Sequence, residues 1–145
     1  MPTEESVKST QVDSEYFHST TAKLLYIGKR TRPEILTAIS FLSTRVNDCN
    51  SDDMVKLQRV IDYLDHTKAR GITLKIGNTY NVRAHIDAAY GVHKDGKSHT
   101  GCTLTIGERG ASYFKSTKQR IITKSSTEAE LVALTDSTNV AIAAV

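Results

Sequence analysis

The chain has 145 residues, of which 39% are hydrophobic and 24% charged, with a formal net charge of +3. That is room for one domain with a core, or for a small domain plus a helical appendage, and the mild positive charge permits a polyanion partner without arguing for one. No apolar run approaches the ~20 residues that span a bilayer, the opening "MPTEESVKSTQVDSE" has no apolar signal core, and Cys49 and Cys102 read as free thiols rather than a disulfide framework.

Residues 1–14 are polar and acidic and read as a disordered leader. A helix is expected over about 15–29, carrying Phe17, Ala22, Leu24, Leu25 and Ile27. In "TRPEILTAISFLSTRV", Pro33 suits a first helical position, and Ile35, Ile39 and Leu42 recur at the helical period. A third helix follows, with Ser51 as the expected N-cap, Asp52 and Asp53 in the first turn, and Gly71 as the stop; its buried face is read as Val55, Leu57, Val60, Ile61 and Leu64.

The period changes at Gly71. "GITLKIG" alternates Ile72, Leu74 and Ile76 with polar residues, which predicts a strand. In "YNVRAHIDAAYG", Val82, Ala84, Ile86 and Ala88 point one way and Arg83, His85 and Asp87 the other. "HTGCTLTIGERG" predicts another strand, Gly107–Gly110 a tight turn, and "ASYFKST" a last strand before a helix from Ser125. The expectation is α+β: a helical part, a β-meander of about three to four strands, and a covering helix. The apolar end "NVAIAAV" has no stop signal and reads as a cut inside a larger domain.

Several residues could carry chemistry. Asp87, at a strand end, could hold a metal or activate water, although an Asp before a turn is more often a turn residue. Ser125–Glu128 fits a capping box, and Thr127–Glu130 fits the same pattern, so the N-cap stays open between Ser125 and Thr127. At ~100° per residue, Leu131, Leu134, Thr138, Ile142 and Val145 form one face, and Glu128 and Glu130 flank it. Lys94, Lys97, Lys115, Lys118, Arg120 and Lys124 read as a basic rim, either solvated or facing a polyanion. His93, His99 and Cys102 lack the spacing of a structural zinc site.

"FHSTTAKLLYIGKRTRPEI", "KLQRVIDYLDHTKARGITL", "HIDAAYG…KSHTGCTLTIG", "KSTKQ" and "TKSSTEAELVAL" together resemble the C-terminal part of a copia-type retrotransposon Pol polyprotein. The resemblance covers about residues 16–135. It implies a helical segment over 15–70 like the one after the reverse transcriptase palm (thumb or connection), and over 71–145 the first part of a ribonuclease H-like domain. The activity implied is two-metal hydrolysis of the RNA strand of RNA–DNA hybrids, with Mg²⁺ (or Mn²⁺) as cofactor.

Residue by residue, the Asp of "HIDAAYG" gives Asp87 and the Glu of "AEL" gives Glu130 as catalytic and metal-binding acids, while Glu128 is left to capping. Ala89 departs from the family, whose members often carry Asp or Ser there. The two further acids of the fold have no counterpart. Asp136 lies roughly 240° around the helix from Glu130 and is no substitute. The expectation is therefore a nuclease fragment with weak metal binding, whose partners are hybrid or other nucleic acid and the rest of the polyprotein, located inside the cell. The alternatives are a non-catalytic nucleic-acid or protein-binding remnant and a decayed gene fragment.

Overall fold

The computed structural model describes residues 11–78 and 81–143, in two units that divide between Gly71 and Ile72. The first contains α1 (Gln11–Arg30), a 3₁₀ turn (Pro33–Ile35), α2 (Leu36–Ser43) and α3 (Ser51–His66). The second contains β1 (Val82–Ala89), β2 (His99–Ile106), β3 (Ala111–Lys118) and α4 (Ser126–Ile142). The class is α+β, with the helical part first, as expected.

In the helical unit, α1 turns Phe17, Thr21, Leu24 and Gly28 inward at spacings of four and three, one face of a 3.6-residue period. Gly28 sits where a Cβ would stand 3.3 Å from Leu36 Cδ1, so a missing side chain lets α1 approach the start of α2. Phe17, Leu24, Ile35, Ile39, Leu42, Cys49 and Leu57 form the core. Arg32, only 6% exposed, ties the 3₁₀ turn to the end of α3. Its Nε donates to Glu34 at 2.6 Å, its Nη2 donates to Thr67 Oγ1, and its guanidinium lies over the Tyr63 ring. A buried guanidinium is tolerated because its fork is paired and stacked.

Several expectations for this unit are corrected. α1 begins at Gln11, so residues 11–14 of the expected leader are helical, and residues 1–10 lie outside the described residues. The N-cap of α3 is Asn50, not Ser51: Asn50 Oδ1 accepts from Asp53 N at 2.9 Å, and Asp53 Oδ2 accepts from Asn50 N at 3.2 Å, a reciprocal capping box. Asp53 also accepts from Arg45 Nε at 3.2 Å. α3 stops at Thr67, whose N–H and hydroxyl return to the last carbonyls, four residues before Gly71. Val55 is 52% exposed and leaves the buried face to Leu57, with Val60, Ile61 and Leu64 partly covered.

In the second unit the strands form an antiparallel sheet in the order β1-β2-β3. The register sets Asp87 opposite Gly101 and Gly101 opposite Ser116, with Ala88, Thr100 and Thr117 in the adjacent row. Residues directly opposite share a face. "GITLKIG" is not a strand: its only pairing among the described residues is the bridge Lys75–Arg109. It crosses the end of the hairpin instead, where Lys75 binds the backbone of Glu108 and Arg109. A Cβ on Gly107 would meet Ile76 O at 2.2 Å, and Gly107 has φ +89°, so this crossing requires glycine on two counts.

α4 lies over β1 and β2. It turns Ala129, Ala133 and Ser137 toward the sheet, four residues apart, and leaves Leu131, Leu134 and Ile142 exposed. The Leu131–Leu134–Thr138–Ile142 face is thus not the one turned to the sheet; Val145 lies outside the described residues. Small side chains win because Gln119 draws the helix close. Its Nε2 donates both to Thr100 Oγ1 (3.1 Å) and to Ala129 O (2.9 Å).

Phe17→Ala is expected to cost the helical unit about 3 kcal/mol or more through the cavity it leaves, whereas Val55→Ala should cost less than about 0.5 kcal/mol. Urea unfolding followed by circular dichroism checks both.

Candidate functional site at the Asp87 end of the sheet

α4 begins as one of the two open capping registers. Ser125 is the N-cap, its Oγ accepting from Glu128 N at 3.2 Å. Glu128 Oε2 accepts from Lys124 N at 2.6 Å, one residue before the position a strict capping box would use. Glu128 is thereby committed to the helix start.

Glu130 is not. Its Oε1 accepts from Ala88 N at 3.3 Å, at the open edge of β1 and one residue past Asp87. Helix and strand thus bring Glu130 and Asp87 to the same end of β1. They do not put the two side chains on one side. Thr100, bonded to Gln119 beneath α4, shows which face the helix covers; Ala88 shares that face, so Asp87 stands on the other, exposed. Among the described residues no cluster of three or more His, Cys, Asp or Glu could hold a metal ion.

Behind Asp87, on the same face, Gly101 leaves a gap and Ser116 follows two strands away, about 10 Å at the usual strand spacing. Ser116 ends a buried chain of polar groups. Its Oγ is 2.7 Å from His99 Nε2, and His99 Nδ1 is 3.0 Å from His93 Nε2. His93 belongs to the β1–β2 loop, which folds over this face. Asp95 of the same loop binds Lys118 at 2.8 Å and Lys97 at 3.7 Å. Ser98 Oγ accepts from Gly91 N and pairs with Thr123 Oγ1. Cys102 is buried on the α4 face, away from the histidines, so the three residues weighed for zinc do not converge.

The basic residues divide likewise. Lys97 and Lys118 share Asp95, and Lys115 donates to Asp136 O on the α4 side. Lys94, Arg120 and Lys124 are exposed. Neither Gln119 nor Ser116 stands out in the sequence. The run "KSTKQ" held both, but neither pairing was visible without the strand register.

Burial pushes the His99 pKa down to about 4, with His93 as the second cause. Burial, then the nearby Lys118 ammonium, lowers that of His93. Asp95 is held below the usual carboxylate range by the hydrogen bond from Lys118.

No family model matches the chain, and no solved structure matches it. The chain is similar to a segment of retrovirus-related Pol polyproteins from transposons. Over 101 residues, 69% of the chain, it is 37% identical to that of transposon RE1 and 38% identical to that of transposon RE2, both of Arabidopsis thaliana. The chain spans about 7% of the length of these curated relatives. It is also 28% identical over 124 residues to "Secreted RxLR effector protein 161" of Plasmopara viticola, covering 86% of this chain and 87% of that protein. No helix among the described residues is long and apolar enough to cross a membrane.

Two outcomes are expected. The unfolded chain takes up protons on His93 and His99 near their ordinary value of 6.5, which the folded chain resists. Stability is therefore full above that pH and falls as pH drops toward about 4, by up to about 3 kcal/mol for His99. Urea midpoints from pH 7 to pH 4 measure this, and His99→Gln should flatten the profile. Gln119→Ala should destabilise the sheet unit by about 2 kcal/mol, because Thr100 and the Ala129 carbonyl lose a buried donor; thermal melting reads it.

Proposed function

We propose that the second unit is a ribonuclease H-like segment of a copia-type polyprotein, in which Asp87 and Glu130 would be two of the carboxylates that hold Mg²⁺ (or Mn²⁺). The helical unit would correspond to the thumb or connection segment that follows a reverse transcriptase palm. The observation that carries this reading is the hydrogen bond that Ala88 N donates to Glu130, which sets the helix acid beside the strand residue that follows Asp87. The similarity to Pol polyproteins and the order of meander then helix support it.

The donor types suit a hard cation, and an ion shared by both would have to sit at the open edge of β1, which Glu130 reaches from the α4 face and Asp87 from the other. Both groups are exposed carboxylates, and Mg²⁺ commonly takes one or two of these and completes its shell with water and phosphate oxygens. A bound cation would supply Lewis-acid polarisation of a phosphoryl oxygen and a more acidic water. The chain's own part is positional: Ala88 N–H holds Glu130 at the strand end, and exposed Asp87 is open to a ligand. Lys94, Arg120 and Lys124 are free to meet phosphates of an RNA–DNA hybrid, gripped through backbone rather than sequence. In this reading the chain works inside a cell.

With no third acid beside Asp87 and Glu130 among the described residues, Mg²⁺ should bind weakly and hybrid cleavage by this chain should be slight. Calorimetric Mg²⁺ titration of the chain, and of Asp87→Asn and Glu130→Gln, tests the assignment; either variant should abolish the remaining binding. Vigorous Mg²⁺-dependent cleavage that Asp87→Asn removes would show that the site is complete.

A second reading is a non-catalytic nucleic-acid or protein-binding module. The similarity that runs through 87% of a protein named as a secreted effector favours it. Hybrid binding measured at two salt concentrations separates the versions. Nucleic-acid binding should weaken steeply with salt, and no binding at low salt would leave only a protein partner. A cooperative melting transition of the purified chain would count against a decayed fragment.

A further inference from the structure

β1 ends the sheet, and its outer side carries no partner strand among the described residues. The direction of its backbone groups is fixed by two bonds. Asn81 O accepts from Gly107 N on the β2 side, whereas Ala88 N donates to Glu130 on the open side. Backbone groups alternate along a strand, so residues 82, 84, 86 and 88 present theirs outward. The strand also carries a charge pattern centred on one residue: Arg83, His85 and Asp87 share the face that α4 leaves bare, and all three are exposed.

We propose that the open edge of β1 receives β1 of a second copy of this chain, antiparallel and centred on His85. In that register Arg83 faces Asp87 of the other copy and Asp87 faces its Arg83, so both charges meet their opposites. On the other face Ala84 meets Ile86, and Val82 meets Ala88. Every outward backbone group meets an outward one, since Ala84 and Ile86 both belong to the even set. A shift by one residue would break that match, and a shift by two would set Asp87 against His85 and Arg83 against Ala89, so that the guanidinium no longer faces a carboxylate. Ala88 N stays with Glu130, so the ladder is built on Ala84 and Ile86. The Arg83 Nη2 donates to the carbonyls of Gly107 and Glu108, which leaves other donors of the guanidinium fork for a carboxylate.

The exposed stripe on α4 lies on the same side. Glu130 leans from the buried Ala129–Ala133–Ser137 row toward the open edge, while Asp136 O on the opposite flank meets Lys115 of β3. Continuing past Glu130 in the same sense, Leu134 lies roughly 40°, Thr138 roughly 80° and Leu131 roughly 100° further round. A two-fold axis perpendicular to the sheet puts both α4 helices over one face, with these flanks turned toward each other. Leu134, which one copy leaves in water, then lines the space between the two helices, while Leu131 points away from the sheet.

Sedimentation equilibrium of the full chain in EDTA, so that no divalent cation competes for Asp87, tests this. A dimer is expected. Asp87→Arg, which sets Arg against Arg83, and Arg83→Asp, which sets Asp against Asp87, should each weaken it by about tenfold or more. The double variant R83D/D87R should restore it, and Leu134→Glu should weaken it independently. Circular dichroism of each variant checks that it folds; both charge positions are exposed, and Leu134→Glu reads the same seam should one of them fail. A wild-type chain that stays monomeric overturns the proposal, as does a dimer indifferent to both reversals or one the double variant does not restore.

Discussion

The close seat of α4 on the sheet governs the second unit. Gln119 reaches from the end of β3 to Thr100 on β2 and to Ala129 on the helix, which holds three elements at one point. A helix drawn that near can turn only small groups downward, hence Ala129, Ala133 and Ser137. The same rotation decides everything at the helix rim. Glu130 reaches the edge of β1, Glu128 stays with its own helix start, and the leucines face outward. Small-to-large substitution at Ala129 or Ala133 would therefore act on Glu130 without touching it, by lifting the helix that carries it.

The bare face of the sheet is organised by different means. Among the described residues of the second unit no helix covers it, and its polar end is closed by the β1–β2 loop. A histidine pair and an ion pair pin that loop to β2 and β3. Both pins use charge or protonation, so the closure is electrostatic where the α4 side is steric. Gly101 separates Asp87 from this network by one empty position in its row. Asp87 thus has room on that side while its own side chain remains in water.

Periodicity made the helical unit legible. Phe17, Leu24, Ile39, Leu42 and Leu57 could be read inward because apolar spacing of three and four has one physical meaning. Val55 misled because it is apolar but sits off the inward arc of α3. The caps were half legible. "SSTEAE" offers two equivalent boxes, and only the fold chose Ser125, whereas Asn50 was hidden behind an equally plausible Ser51. Hydrophobicity does not mark the covering face of α4, because closeness of approach, not apolarity, sets which residues turn inward. His99 and Ser116 lie 17 residues apart in the chain, and no local pattern announces such a pair. The positions of Asp87 and Glu130 in the fold were approachable from strand alternation and helix spacing; the chemistry assigned to them rests on resemblance.

The two cysteines divide between the two units, and both are buried, Cys49 in the helical core and Cys102 beneath α4. A thiol-modifying reagent can reach neither until the packing around it opens. Each unit therefore carries its own internal clock. The labelling rate at Cys49 times the opening of the helices, and that at Cys102 times the lifting of α4 from its sheet. Equal rates would mean that the chain opens as one cooperative body, and unequal rates that one part breathes while the other stays shut.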